Sequence, residues 1–200
     1  MSLIDPSRRR FLGGLAVVGF AGVSLPVLQR LAAGEELALT PTCGDEDDVT
    51  PEQGEGPYFT PNSPQRKVLR EEGMTGTAIV LTGFVLSRSC RPIPKTLVEL
   101  WHADDSGRYD NDGYRLRGHQ FTDNGGRYRF ETIVPGLYPG RTRHFHVKFQ
   151  APGEPVLTTQ LYFPGEPGNE RDRIFDPALL LDIDLAPEMV GRYNAVLDVA

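Results

Sequence analysis

Six runs of seven to ten residues, rich in β-branched and aromatic side chains and fenced by Pro/Gly turns, commit this chain to a fold built from short strands. They are TAIVLTGFVL (77–86), KTLVELWHA (95–103), GRYRFETI (126–133), RHFHVKFQA (143–151), VLTTQLYF (156–163) and NAVLDVA (194–200). Segments such as SCRPIP, TDNGG and VPGLYPG lie between them, and their Pro, Gly, Asn and Asp residues preset turn dihedrals. Only DPALLLDIDLAPEM offers a helical turn, and its apolar period is poor. No repeat of fixed length appears. The spacing predicts an all-β fold: an antiparallel β-sandwich over 77–200, with long loops that would carry an active site.

The residues before 77 do not share this pattern. TPTCGDEDDVTPEQGEGPYFTPNSPQRK is acidic and Pro/Gly-rich and follows neither strand nor helix period, so 34–76 reads as an irregular arm. Residues 1–33 read as an export signal. The Arg8–Arg10 run is followed by an apolar stretch from Phe11 to about Leu28, broken by glycines and Pro26 and short for a span of ~20 apolar residues. Leu31–Ala33 supplies a small-residue cleavage site. Ser7-Arg8-Arg9-Arg10-Phe11-Leu12 resembles the twin-arginine signal S-R-R-x-F-L at every specified position. That resemblance implies export by the twin-arginine translocase to a periplasmic or extracellular location; the alternative reading of the same segment is an uncleaved N-terminal anchor, and beyond it no stable membrane partner is expected. Such export carries folded proteins, often with a cofactor already loaded. An oxidising compartment favours a disulfide between the chain's two cysteines, Cys43 and Cys90.

A net charge of −6 and a pI near 5.2 argue against a nucleic-acid partner, which would select a basic face. The chemistry concentrates instead in GLYPGRTRHFHVKF (136–149), where two of the four histidines stand one residue apart. On a strand, His144 and His146 point the same way, about 7 Å apart along the chain. Alone, H-x-H also describes two surface histidines. A zinc site would need His119 or His102 as a third ligand. Phenol and guanidinium are what stand nearby, as Tyr138 and Arg141. A phenol titrates near 10, so only a strong Lewis acid holds it as phenolate at neutral pH, and Fe(III) is the natural candidate.

These residues carry a resemblance to the intradiol ring-cleavage dioxygenases, the catechol and protocatechuate dioxygenase family. It runs from TPEQGEGPYF through LVELWHADDSGRYDNDGYRLRGHQFTDNGGRYRFETIVPGLYPGRTRHFHVKFQ to TTQLYFPGEP. The resemblance implies a β-sandwich holding non-haem Fe(III) through two tyrosines and two histidines, ordered Tyr…Tyr…His-x-His. Tyr138 on the PGLYP turn, His144 and His146 match directly, and Arg141 stands three residues before the first histidine. For the first tyrosine RYDNDGYRLRG offers Tyr109 and Tyr114, and Tyr114 is taken as the ligand. Gln160 matches a family glutamine near the metal's water, and Tyr58 a segment reaching the site from the arm. His102, where Gln is usual, and His119 read as packed imidazoles, and Trp101, Tyr128 and Phe130 as core.

The implied reaction inserts O2 into a small aromatic diol between its two hydroxyl-bearing carbons, giving a cis,cis-muconate-type diacid. By resemblance Tyr138 acts as base, while Arg141 binds substrate and stabilises anionic character. Two rival readings are an exported transthyretin-like β-sandwich that only binds, and a zinc hydrolase using His144, His146 and His119. The identity of the diol and any homo-oligomeric state are not encoded in these motifs.

Overall fold

The computed structural model describes residues 49–200. The segment read as an export signal, Cys43 and the first part of the arm lie outside the described residues. Cys90 lies half-buried at the turn after the first strand.

Among the described residues nine strands form two sheets. The first contains β1 (Ala78–Ser87), β4 (Arg127–Ile133), β7 (Asp182–Asp184), β8 (Val190–Arg192) and β9 (Ala195–Leu197), in the order β4-β1-β8-β7, with β9 also on β1. The second contains β2 (Leu97–Trp101), β3 (Arg117–Phe121), β5 (His144–Gln150) and β6 (Leu157–Tyr162), in the order β3-β2-β5-β6. The second sheet is antiparallel throughout. In the first, β8 and β9 run parallel to β1, a departure from the purely antiparallel expectation. The expected helical turn is a single 3-10 turn at Pro177–Leu179, capped by Asp176, and strand β7 follows it.

Strand alternation divides the chemistry from the core. Val98 and Leu100 on β2 and Phe145, Val147 and Phe149 on β5 are fully buried in the main apolar cluster, facing the first sheet. Each such side chain contributes about 1.5–3 kcal/mol by leaving water. Their alternate neighbours, Trp101, His144, His146 and Lys148, therefore lie on the outward face of the second sheet. Cross-strand register adds Gln160 opposite His146 and Tyr162 opposite His144. Trp101, expected in the core, is buried on this outer face instead.

The described part of the arm is irregular, as expected, but laced to the sandwich. Gln53 N donates to Thr158 O on β6, Gln65 bridges His119 on β3, and Val68 bridges Glu131 on β4. Leu69 is fully buried in the main core. The arm thus covers strand edges that would otherwise present unpaired backbone groups, and it roofs the outward face that carries the histidines.

Candidate metal centre

Two turns deliver the aromatic side chains. Asp104 Oδ1 accepts from Ser106 N, Ser106 Oγ and Arg108 N, so one buried carboxylate folds the Asp104–Arg108 turn that leads into Tyr109. Gly107 has φ 81°, and the Leu137 carbonyl lies 2.1 Å from where its Cβ would sit. A side chain there would separate the Tyr109 turn from the Tyr138 turn. As packed, the Tyr109 and Tyr138 rings meet edge-on, with centroids 5.8 Å apart.

The histidines complete the cluster from β5. His144 Nδ1 donates to Thr142 O at 2.7 Å, which leaves its Nε2 as a lone-pair donor. That atom faces His146 Nε2 at 3.1 Å. Tyr138 packs edge-on to His144 at 5.7 Å, and Tyr109 lies 6.1 Å from His146. The His146 ring stacks on Trp101 at 4.9 Å and 9°, and its buried Nδ1 has no hydrogen-bond partner. Burial, reinforced by the Arg141 charge, lowers His144 to about 4; burial and the neighbouring His144 hold His146 well below the usual range. Both imidazoles are neutral at pH 7, as metal ligation requires. Burial raises both phenols, and Arg141 opposes the rise at Tyr138.

Arg141 is committed on three sides. Its Nε donates to Asp172 at 2.8 Å, Nη1 to the Tyr138 hydroxyl at 3.2 Å and Nη2 to Gln160 Oε1 at 2.6 Å. Gln160 Nε2 in turn donates to Gly54 O of the arm at 3.0 Å. The Tyr162 hydroxyl donates to Gln53 Oε1 at 2.7 Å, and burial pushes its pKa up to about 12. The arm closes the site: Tyr58 stacks on Tyr109 at 4.5 Å and 17°, and it meets Tyr138 edge-on at 6.1 Å. Gly56, with φ 71°, lets the backbone come so near that a Cβ would lie 3.3 Å from His146 Cε1. Lys148 pairs with Glu55 at 2.6 Å and lies 3.4 Å over Phe59, fastening the same segment.

Arg141, Tyr138, His144, His146, Gln160 and Tyr58 are therefore brought together. Tyr114 is not, and it is replaced in the cluster by Tyr109. Asp110 explains the difference: Oδ1 accepts from Asp112 N and Gly113 N, and Oδ2 from Arg115 N. The chain turns so sharply that Tyr114 emerges on the arm side, 37% exposed, with its hydroxyl donating to Pro61 O. His119 meets Ser63 and Phe121, away from the histidine pair, so the trio a zinc hydrolase would need does not assemble. His102 sits on the core side against Phe145.

Two positions carried no sequence signal. Arg117, 1% exposed, donates to Asp110 O through Nε and Nη2 and to Tyr58 O through Nη1, tying the loop after Tyr109 to the arm. Asp172 lies 31 residues beyond Arg141 on the loop after β6. A cavity of about 470 Å³ beside Tyr109, lined also by His102, Asp104, Arg108 and Leu116, touches this cluster only through Tyr109.

The donors fit a hard trivalent cation. Among the described residues no three His, Cys, Asp or Glu side chains cluster as a metal site, and the phenols of Tyr109 and Tyr138 are the further donors packed against the two histidines. The 3.1 Å between the two Nε2 atoms is close to the separation of two cis nitrogens bound at ~2.0–2.1 Å to one ion. Two neutral imidazoles with two phenol oxygens, the latter anionic only under a strong Lewis acid, suit Fe(III).

The family model described as Dioxygenase matches residues 54–199. The protocatechuate 3,4-dioxygenase beta chain of Burkholderia cepacia is 39% identical over 118 residues, covering 50% of this chain and 50% of that protein. The hydroxyquinol 1,2-dioxygenase of Rhodococcus opacus is 30% identical over 154 residues, covering 64% and 51%. The chain thus spans about half the length of the curated relatives it matches. Among solved structures, the dioxygenase domain of a dioxygenase–carbohydrate-binding fusion from Streptomyces sp. SirexAA-E superposes with TM-score 0.74 at 54% identity, covering 76% of this chain and 99% of that one. An intradiol ring-cleavage dioxygenase from Tetranychus urticae gives TM-score 0.68 at 27% identity, covering 75% and 94%.

Proposed function

This chain belongs to the intradiol ring-cleavage dioxygenase family, and from that premise we propose that it is an exported non-haem Fe(III) enzyme that opens a catechol-type ring between its two hydroxyl-bearing carbons with O2, giving a cis,cis-muconate-type diacid. The observation that carries this reading is the convergence of Tyr109 and Tyr138 on a neutral histidine pair whose Nε2 atoms stand 3.1 Å apart.

Tyr109, Tyr138, His144 and His146 would hold the iron. When bound, ferric iron supplies a Lewis acid that draws electron density from a chelated catecholate and opens its ring to O2. The chain supplies position, charge and a proton acceptor. Tyr138 stands on a turn whose Leu137, Pro139 and Gly140 are exposed, and Arg141 bonds its oxygen. It is the phenol placed to take a proton from an incoming diol. Tyr109, stacked under Tyr58, is the one held in place. Burial works against the charge of Arg141, but the bond to Asp172 and the nearby Tyr138 and Asp172 oxygens together outweigh it, so Arg141 remains cationic and can stabilise anionic character on the ring. The stacked Tyr58 ring and the arm backbone at Gly54–Gly56 exclude water from one side.

The test is metal content and colour. Purified protein should bind about one iron per chain and show a broad visible tyrosinate band. Tyr109→Phe should remove or shift that band, and Tyr114→Phe should leave both band and turnover unchanged. A colourless zinc-loaded protein with full activity, or no ring opening across a panel of catechols under O2, would overturn the reading. A band lost with Tyr114→Phe but kept with Tyr109→Phe would overturn the ligand set.

A further inference from the structure

Arg141 occupies an unpromising place for a precise task. It is a long, flexible side chain on an exposed turn, and its role depends on where its planar head lies. Asp172 lies against that head from the far side. The carboxylate is 2% exposed, and its Oδ2 accepts both Arg141 Nε at 2.8 Å and Thr142 N at 2.9 Å, while Oδ1 accepts Ile174 N at 3.2 Å. The carboxylate is thus engaged by three N–H groups, one of them the guanidinium's Nε–H. Burial pushes it upward, but the hydrogen bonds from Thr142 and Arg141 prevail and keep it ionised. A second contact fastens the same loop, because the Thr142 hydroxyl lies 2.7 Å from Asn169 Oδ1.

We propose that Asp172 is a positioning residue for ring cleavage: by holding Arg141 Nε it fixes the plane of the guanidinium, so that Nη1 stays on the Tyr138 oxygen and Nη2 on Gln160. This rests on the ferric dioxygenase reading. Nε–H lies in the guanidinium plane, so a bond there fixes both the rotation and the depth of the fork. Of the five guanidinium N–H groups, these three bonds engage one on each nitrogen, leaving two for substrate or developing charge. Without the carboxylate, two neutral contacts would have to hold a solvent-seeking cation in place.

The test is a double-mutant cycle on the iron-loaded enzyme. Asp172→Asn keeps the shape and removes the charge. It should retain iron and the tyrosinate band, with kcat lower by about 10–100-fold, the range that one hydrogen bond to a charged group commands. KM should move much less. In an Arg141→Lys background the same change should alter kcat by less than about 3-fold, because the group it acts through is gone. Equal falls in both backgrounds would mean that Asp172 only braces its loop, and the proposal would fail; so would an undiminished kcat. If Asp172→Asn does not fold, Asp172→Glu displaces the carboxylate by one methylene and enters the same cycle. An activity-independent reading comes from iron-free, 15N-labelled protein. The Arg141 Nε–H signal should be sharp and slowly exchanging in the wild type and lost or shifted in Asp172→Asn. An unchanged signal would overturn the Asp172 assignment whatever the enzyme turns over. Absence of ring cleavage by the wild type, with the signal behaving as expected, would instead indict the functional reading.

Discussion

Replacing His102 by glutamine should flatten the acid limb of this protein's stability curve. The imidazole is 1% exposed at the end of β2, edge-on to Phe145 at 4.9 Å. Ala103 O, 2.7 Å from Nδ1, can only accept, so Nδ1 carries the proton and Nε2 accepts from the Thr132 hydroxyl at 2.6 Å. Burial lowers the pKa from 6.5 to about 4; the bond to Ala103 O opposes this, and the charge of Arg117 adds to it. Because the folded value lies below the unfolded one, the unfolded chain takes up the proton first as the pH falls. The contribution is complete above about pH 6.5 and is lost progressively toward pH 4. From these two values the loss is about 2 kcal/mol between pH 7 and pH 5, and about 3 kcal/mol by pH 4. Glutamine offers the same donor and acceptor and does not titrate. Urea denaturation of iron-free wild type and His102→Gln at pH 7, 6 and 5 reads this contribution, since titrating groups that do not interact with His102 cancel in the difference. The wild type should lose about 2 kcal/mol more than the variant over that interval. Parallel curves, or an imidazole found to titrate near 6.5 in the folded protein by NMR, would refute the argument.

Arg141→Lys keeps a positive charge but cannot bond Asp172, Tyr138 and Gln160 together; iron and colour should persist while kcat falls by about 10²–10³, and steady-state turnover at the wild-type rate would remove Arg141 from the chemistry. Gly56→Ala forces a side chain into φ 71° with its Cβ 3.3 Å from His146 Cε1. It should cost about 1–2 kcal/mol in urea denaturation and shift the visible band, because His146 is backed by Trp101 and has little room to yield.

The strands legible in the sequence are those whose alternation is strong. β2, β4, β5, β6 and β9 each fall within a run that combines β-branched or aromatic residues with bounding turns, and β1 passes the end of its run by Ser87 alone. β3, Arg117–Phe121, was not read, because Arg-Gly-His-Gln-Phe lacks both β-branched residues and a clean alternation. It is a strand because β2 pairs with it along its whole length and the arm bridges it at His119. The three-residue strands β7 and β8 lie below what any period can show, and they are held by register with β1. Leu69 was invisible for a related reason. An apolar residue in an aperiodic arm carries no face, and only its contact with the sandwich gives it one.

The site divides along the same physical line. His144 and His146 could be paired from spacing alone, because period two is built into a strand, and Arg141 and Tyr138 share their turn. The first tyrosine could not be settled that way. Tyr109 and Tyr114 stand five residues apart in a loop whose course is set by Asp110, whose side chain accepts from three backbone N–H groups. The expectation of Tyr114 rests on the order of residues in the family pattern, which does not contain the course of this loop; folded tightly, the loop sends Tyr114 to Pro61 and leaves Tyr109 beside the histidine pair. The local signal was present in A-D-x-x-G-R-Y. Its aspartate caps a turn and its glycine adopts positive φ against the Leu137 carbonyl, so the tyrosine that ends the pattern is the one whose direction the sequence determines. Asp172 and Arg117 carry no such mark. They act across 31 and 59 residues, on Arg141 and on the Tyr58 carbonyl, through side chains whose targets exist only once the loops have met. A ligand set can be written into a few adjacent residues, but the supports that aim it are distributed, because a guanidinium or a carboxylate must approach from outside the turn it holds.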